Sequence, residues 1–372
     1  MHDSPAATPE VYIHTTSDCV QSRNESHVYA AYFRRNGWAP TRDPARASLM
    51  LCNTCGMVPS REDDSVRAIQ NLIAVGASRG ASVVVTGCLP AINLRAIRDV
   101  HDGPVLDLHR IDELDGLIGA SMPLRDVRRE VRALPDASGV GMVRVATGCD
   151  SRCTFCAIRA AKGATRSVPI PDIVTSVRRE LENGVDDLVL LGDDLASYGS
   201  DIGGDIAELL SALLAIPGWF TLGLDNLYPG RLLDLHGRLG PLLRDPRVAR
   251  LNIPLQAGSS RILKLMGRPY DVPQLLATLH CLRHDRSAAP IVLTTHLILG
   301  FPSETSMEFE QGLDAISSFD RAVVLTWAPR PGAPAANFPG QLPRAEKIGR
   351  LARAKALFGD RPGWTFVDSE AA

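Results

Sequence analysis

The chain has 372 residues, of which 45% are apolar, and a formal net charge of −2. That length holds two or three domains with cores of their own, and the near-neutral balance lacks the strongly basic footprint of a dedicated RNA-binding chain. No apolar run approaches a membrane span, and Met1-His-Asp-Ser-Pro5 lacks the basic-then-apolar order of a signal peptide, so a cytoplasmic protein is expected.

The first third alternates strand and helix. Strands are predicted at Val11–Thr16, Ala47–Cys52 and Ala81–Thr86, with helices at Asn24–Asn36 and Asp63–Ser78. Apolar strands alternating with helices predict a parallel α/β sheet. Cys19, Cys55 and Cys88 follow the three strands in turn, so their thiols are expected to converge at the carboxyl edge of the sheet, where such folds bind ligands. Cys52 is an alternative ligand to Cys55 on pattern alone. Residues 9–122 are assigned to this N-terminal domain, and the polar, arginine-rich stretch 123–140 to a linker.

From 141 to 340 six strand–helix units follow, with strands predicted at Met142–Thr147, Asp187–Leu191, Thr221–Leu224, Ala249–Leu255, Ile291–Leu299 and Ala322–Trp327. Six units are too few for a closed eight-stranded barrel and predict a partial (β/α)6 barrel. Residues 341–372 read as one helix from Pro343 to about Leu357 and a tail. Cys281, within a helical pattern from Gln274 to Arg286, reads as a small core residue. His14 and His296, both on predicted strands, read as core histidines and receive no role.

Eight cysteines are too sparse for a disulfide scaffold and point to metal ligation in a reducing compartment. Three of them, Cys149, Cys153 and Cys156, crowd one loop directly after the first barrel strand. Three thiolates leave one iron of a cubane cluster open to another ligand. A structural zinc knuckle is the alternative, but it calls for a fourth Cys or His, and no His occurs between His109 and His236.

The run Gly148-Cys-Asp-Ser-Arg-Cys-Thr-Phe-Cys156 resembles the GC-x-x-x-C-x-[FY]-C loop of radical S-adenosylmethionine (SAM) enzymes, and in particular of the methylthiotransferase family. Asn53-Thr-Cys55 and Thr86-Gly-Cys-Leu89 are similar to that family's NTC and GCL segments. The segment Asp18-Cys-Val-Gln-Ser-Arg-Asn24 resembles its GC-x-x-N, with Asp18 in place of glycine and a longer spacing. Leu191–Gly199 resembles GQN-x-x-x-YG with Asp193 for Gln. Asn252–Ser260 resembles H-x-PLQSGS with Asn252 for His. Leu299–Glu304 resembles GFPGET, and Trp327–Ala335 resembles YS-x-RPGTPA.

The resemblance implies SAM, two [4Fe-4S] clusters (one on Cys149, Cys153 and Cys156, the other on Cys19, Cys55 and Cys88) and a reductant such as flavodoxin or ferredoxin. It also implies radical hydrogen abstraction followed by sulfur insertion from the second cluster, both clusters facing one active site. Phe155 is expected to cover the adenine, Gly192 to let the backbone approach the methionyl amine, and Asp193 or Asp194 to supply acceptors. Gln256 and Ser259 are expected cofactor or substrate contacts, with Ser259 or Ser260 also a helix cap, and Gly300 lies in a turn expected against the adenine. The family's C-terminal TRAM domain is not expected after the barrel, and the sequence departs at Asp193 and Asn252. A small nucleoside-like substrate of specialised metabolism is therefore expected, converted by methylthiolation, thiolation or oxygen-to-sulfur exchange. A tRNA methylthiotransferase without TRAM and a non-catalytic iron-sulfur or zinc protein are the alternatives.

Overall fold

Many strands in this chain are runs of branched apolar residues, several closed by Gly, Asn or Asp, and the main ones assemble into two separate parallel sheets. The computed structural model describes residues 8–17, 19–130, 133–135, 139–286 and 289–371. Asp18 and the Met1–Pro5 start lie outside the described residues. The chain divides into two compact units, residues 1–134 with 160–163 and 372, and residues 135–159 with 164–371. Among the described residues no helix is long and apolar enough to cross a membrane.

In the first unit β1 (Glu10–Thr15), β2 (Ala39–Thr41), β3 (Leu49–Thr54) and β4 (Ser82–Gly87) form a parallel sheet in the order β2-β1-β3-β4. The three-residue β2 is an edge strand too short to leave a pattern in the sequence. β3 is buried along its whole length, as a central strand covered on both faces must be. Alternation sends Leu49 and Leu51 to a cluster with Val28, Tyr29, Tyr32 and Phe33 of α1 (Val20–Arg35). Met50 and Cys52 go to the opposite face, against Ile69 and Leu72 of α2 (Pro59–Ala77). The stretch assigned to the linker begins with a helix, Leu124–Glu130, whose Leu124 and Val127 join the α1 cluster and whose Arg128 pairs with Glu25.

β5 (Ala133–Pro135) falls at the division, and the second unit carries the remaining strands: β6 (Gly141–Arg144), β7 (Ala146–Thr147), β8 (Arg166–Ser167), β9 (Asp187–Leu191), β10 (Thr221–Leu224), β11 (Val248–Asn252), β12 (Val292–Leu299), β13 (Arg321–Thr326) and β14 (Trp364–Val367). Its main sheet runs β14-β13-β12-β11-β10-β9-β6-β5, with every pairing from β6 to β14 parallel. All six expected barrel strands are present. The first is broken after Arg144, and its end, β7, pairs antiparallel with β8. β14 adds a strand that the sequence did not reveal, because four residues after a long helix carry too short an alternation.

Several helix starts in this unit are fixed by a side chain that accepts otherwise orphaned N–H groups. Asp205 caps Ile206–Leu214, and a Thr305/Glu308 capping box opens Ser306–Ile316. Arg250 of β11 crosses β10 at Gly223, where a Cβ would stand 3.1 Å from its Nε, and grips Asp187 of β9 with both terminal nitrogens. Cys281 departs from expectation: it is exposed. Its helix, Val272–Asp285, buries the stripe Val272, Leu275, Leu279 and Leu282, and position 281 falls off that stripe.

Phe33, fully buried between sheet and helix, tests the first unit's core. Phe33→Ala is expected to lower unfolding free energy by roughly 3–5 kcal/mol in urea titrations.

Candidate functional site

The loop after β7 has no regular structure of its own, so the barrel holds it in place. Gly148, at φ +79°, turns the chain out of the strand, and its N–H donates to Asp193 Oδ2 at 2.9 Å. Thr154 is anchored three ways: its N–H donates to Met266 O at 3.0 Å, its hydroxyl to Leu265 O at 2.8 Å, and its carbonyl accepts from Ala335 N–H at 2.9 Å. Cys149, Cys153 and Cys156 consequently lie within electrostatic reach of one another. Burial pushes the Cys149 thiol up to about 11, with Asp194 adding to the effect, and the Cys156 thiol up to about 12. Ile158 N–H donates to Cys156 Sγ at 3.4 Å. Phe155 is half-buried between the anchored Thr154 and Cys156.

Other groups arrive at the carboxyl ends of the barrel strands. After β9, Gly192 accepts from Asn226 Nδ2 at 3.2 Å, and Asp193 is tied to the cysteine loop through Gly148. Asp194 accepts from Ala196 N–H and from the Ser197 hydroxyl, while burial raises its pKa. Asn252, closing β11, donates to Asp225 Oδ1 at 2.8 Å, and its own Oδ1 is buried without a hydrogen-bond partner. Gln256 adopts φ +72°, a left-handed conformation unusual outside glycine, and continues the sheet by bonding backbone to backbone with His296 and Ile298.

Two expected contacts have structural work. Ser259 caps the Ser260–Leu265 helix and donates to Glu308 at 2.8 Å. The Gly300 N–H donates to buried Glu304, and a Cβ there would stand 2.5 Å from Lys347. His14 and His296 both have lowered pKa values through burial. Arg268 adds to the effect at His296, which falls to about 4.

In the first unit Cys55 and Cys88 end up close because the Cys88 N–H donates to the carbonyl of Thr54, at 2.9 Å. Cys19 stands at the N-cap of α1, exposed and within electrostatic reach of Cys55. The Cys55 N–H is held by the hydroxyls of Thr16 and Ser65 at 3.1 Å each. Cys52 is fully buried in the apolar cluster on the α2 side, its thiol pushed up to about 12 by that burial.

All eight cysteines are free thiols. Among the described residues no three His, Cys, Asp or Glu side chains form a group able to hold a single metal ion. A cubane, with a separate iron for each thiolate, holds its cysteines farther apart than a single ion does. The donor set fits such a cluster. Soft sulfur ligands suit iron, and cationic irons offset the cost of ionising buried thiols. Motif reading missed Arg268, which donates to Cys153 Sγ at 3.4 Å, and Tyr228, whose ring lies under that guanidinium at 4.3 Å. Only the chain's path brings these residues to the loop.

The Radical SAM superfamily matches residues 143–316, and the uncharacterized protein family UPF0004 matches residues 10–106. The ribosomal protein uS12 methylthiotransferase RimO of Anaeromyxobacter sp. (strain Fw109-5) is 31% identical over 94% of this chain and 77% of its own length. The threonylcarbamoyladenosine tRNA methylthiotransferase MtaB of Thermotoga maritima is 28% identical over 90% of this chain and 79% of its own. The solved structure of the radical SAM methyltransferase TsrM from Kitasatospora setae aligns with a TM-score of 0.65 at 12% identity, covering 88% of this chain and 77% of that one, and so shares the fold.

Gly267 tests how the loop is held. It sits at φ +68°, and a Cβ there would stand 2.8 Å from the carbonyl oxygen of Arg152. Gly267→Ala is expected to destabilise the protein by about 1–3 kcal/mol in denaturant titrations.

Proposed function

Because this chain belongs to the radical SAM methylthiotransferase family, we propose that it transfers a methylthio group to an unactivated carbon of a macromolecular substrate, a tRNA or a ribosomal protein. The family uses SAM and two [4Fe-4S] clusters. The observation that carries the reading is the pair of cysteine triads, each at the carboxyl ends of a parallel sheet. We assign Cys149, Cys153 and Cys156 to the cluster that binds SAM, and Cys19, Cys55 and Cys88 to the sulfur-donating cluster. When bound, these groups supply the electron that cleaves SAM and the sulfur that is inserted.

The chain's own residues set the conditions for that chemistry. Thr154 and Gly148 fix the loop, and Phe155, half-buried on it, is the residue to cover the adenine and exclude water there. Gly192 leaves the backbone open to approach at a strand end where SAM is expected, Gln256 is a candidate cofactor or substrate contact, and the spare Oδ1 of Asn252 offers an acceptor. Cys52, embedded in the core, serves packing rather than ligation.

The names of the relatives, uS12 and tRNA methylthiotransferases, support a macromolecular substrate and do not support the small nucleoside-like substrate expected from the sequence. A small substrate is kept as the second reading on one observation. Two barrel positions that depart from the family's motifs, Asp193 and Asn252, are both engaged with other parts of the barrel, in Gly148 and Asp225.

Expression in a host deleted for its own tRNA and uS12 methylthiotransferases tests the choice. Methylthioadenosine in digested tRNA, or a methylthio mass shift on uS12, is expected. Absence of both, with SAM cleavage stimulated by a free nucleoside, would favour the second reading.

Replacing Cys149, Cys153 and Cys156 by Ala should abolish reductive SAM cleavage and remove about four irons. Replacing Cys19, Cys55 and Cys88 should preserve SAM cleavage and stop sulfur incorporation, whereas Cys52→Ala should keep both. Deoxyadenosine formed at the parent rate by the first variant, or product from the second, would refute the assignment.

A further inference from the structure

Arg268 makes a contact that the assigned machinery does not explain. Its Nη1 donates to Cys153 Sγ at 3.4 Å, and its Nη2 reaches Pro254 O at 3.5 Å. The guanidinium lies 4.3 Å from the centroid of the Tyr228 ring, a cation–π clamp. Tyr228 in turn meets Tyr270 edge-on at 6.2 Å, and the Tyr270 hydroxyl donates to Leu255 O. The backbone is equally constrained: Arg268 N–H donates to Leu263 O at 2.9 Å, and the preceding Gly267 fits against the carbonyl of Arg152 only because it lacks a Cβ. A side chain whose purpose was packing would not need a fixed N–H aimed at one sulfur of the loop.

We propose that Arg268 is a positioning residue that tunes the loop cluster, raising its reduction potential by hydrogen bonding to the Cys153 sulfur and by placing a fixed positive charge beside it. This rests on the assignment of Cys149, Cys153 and Cys156 to the SAM-binding cluster. Reduction adds one electron to a group that already carries anionic sulfur ligands. A neighbouring cation and N–H donor therefore stabilise the reduced form more than the oxidised one. Arginine suits the task because it stays charged at any working pH and its planar fork holds one orientation. Tyr228 keeps that fork from swinging out to water.

The test is an EPR-monitored redox titration, without SAM, of the full chain carrying Cys19, Cys55 and Cys88→Ala, so that only the loop cluster responds. In this background Arg268→Gln, which loses the charge, is expected to shift the midpoint to more negative potential with iron content unchanged. Arg268→Lys is expected to fall between Gln and the parent. Tyr228→Leu, which frees the guanidinium, is expected to shift the midpoint in the same direction by less.

Midpoints that coincide with the parent on loaded clusters would overturn the proposal, even if SAM binding weakened. If both Arg268 variants lose iron, Tyr228→Leu decides alone, and an unshifted midpoint there overturns the proposal. A parent in this background that holds no loop cluster would instead overturn the assignment of the three cysteines, and the tuning role with it.

Discussion

The rest of the barrel site depends on holding three sulfurs of an irregular loop at fixed places. Ordering each residue of such a loop costs about 1–2 kcal/mol in backbone entropy, and a single hydrogen bond returns only about 0.5–1.5 kcal/mol. The loop between Gly148 and Cys156 meets that cost with bonds to remote parts of the barrel: Asp193 after β9, Leu265 and Met266 before Arg268, and Ala335 after β13. Each contact links the loop to a different strand–helix unit. The cysteines are therefore placed by the barrel as a whole, and burial then raises Cys149 and Cys156 until thiolate formation needs a cationic partner.

The same strand ends are braced from the carboxyl side of the unit. Glu304, pushed up to about 7 by burial, accepts from Gly300 N–H and pairs with Arg350 of the Arg344–Phe358 helix. Lys347 of that helix donates to Trp327 O at 2.9 Å and pairs with Glu370 at 2.7 Å. Buried pairs of this kind add little net stability, since desolvation offsets their attraction, but breaking one partner is costly. Their effect here is to fix the turns after β12 and β13. Gly300 is thereby committed to its turn, its N–H to Glu304.

Much of this was legible in the sequence because it is local. The Gly148–Cys156 spacing, the apolar strands and the Gly and Asp residues that end them all act within a few residues. Strand boundaries moved by at most three residues, those at Asp187–Leu191 and Thr221–Leu224 not at all, and the cysteines after β1, β3 and β4 stand at strand ends as expected. Cys52 illustrates the limit. Pattern could not separate it from Cys55, but strand alternation places it on the α2 face, in the core. Cys281 was misplaced because one cysteine on a weakly amphipathic helix does not reveal which side it occupies. Arg268, Tyr228 and the left-handed Gln256 were invisible: the first two depend on contacts between distant segments, and the third on a backbone conformation that glutamine rarely adopts.

The central claim is that this chain carries two cysteine triads, each holding its own cluster. Iron, sulfide and zinc quantification of the anaerobically reconstituted full chain, read together with its Mössbauer spectrum, tests it most directly. The account predicts about eight irons and as many sulfides per chain, in two [4Fe-4S] populations. Stoichiometric zinc, or a single cluster of about four irons that persists when either triad is replaced, would contradict it.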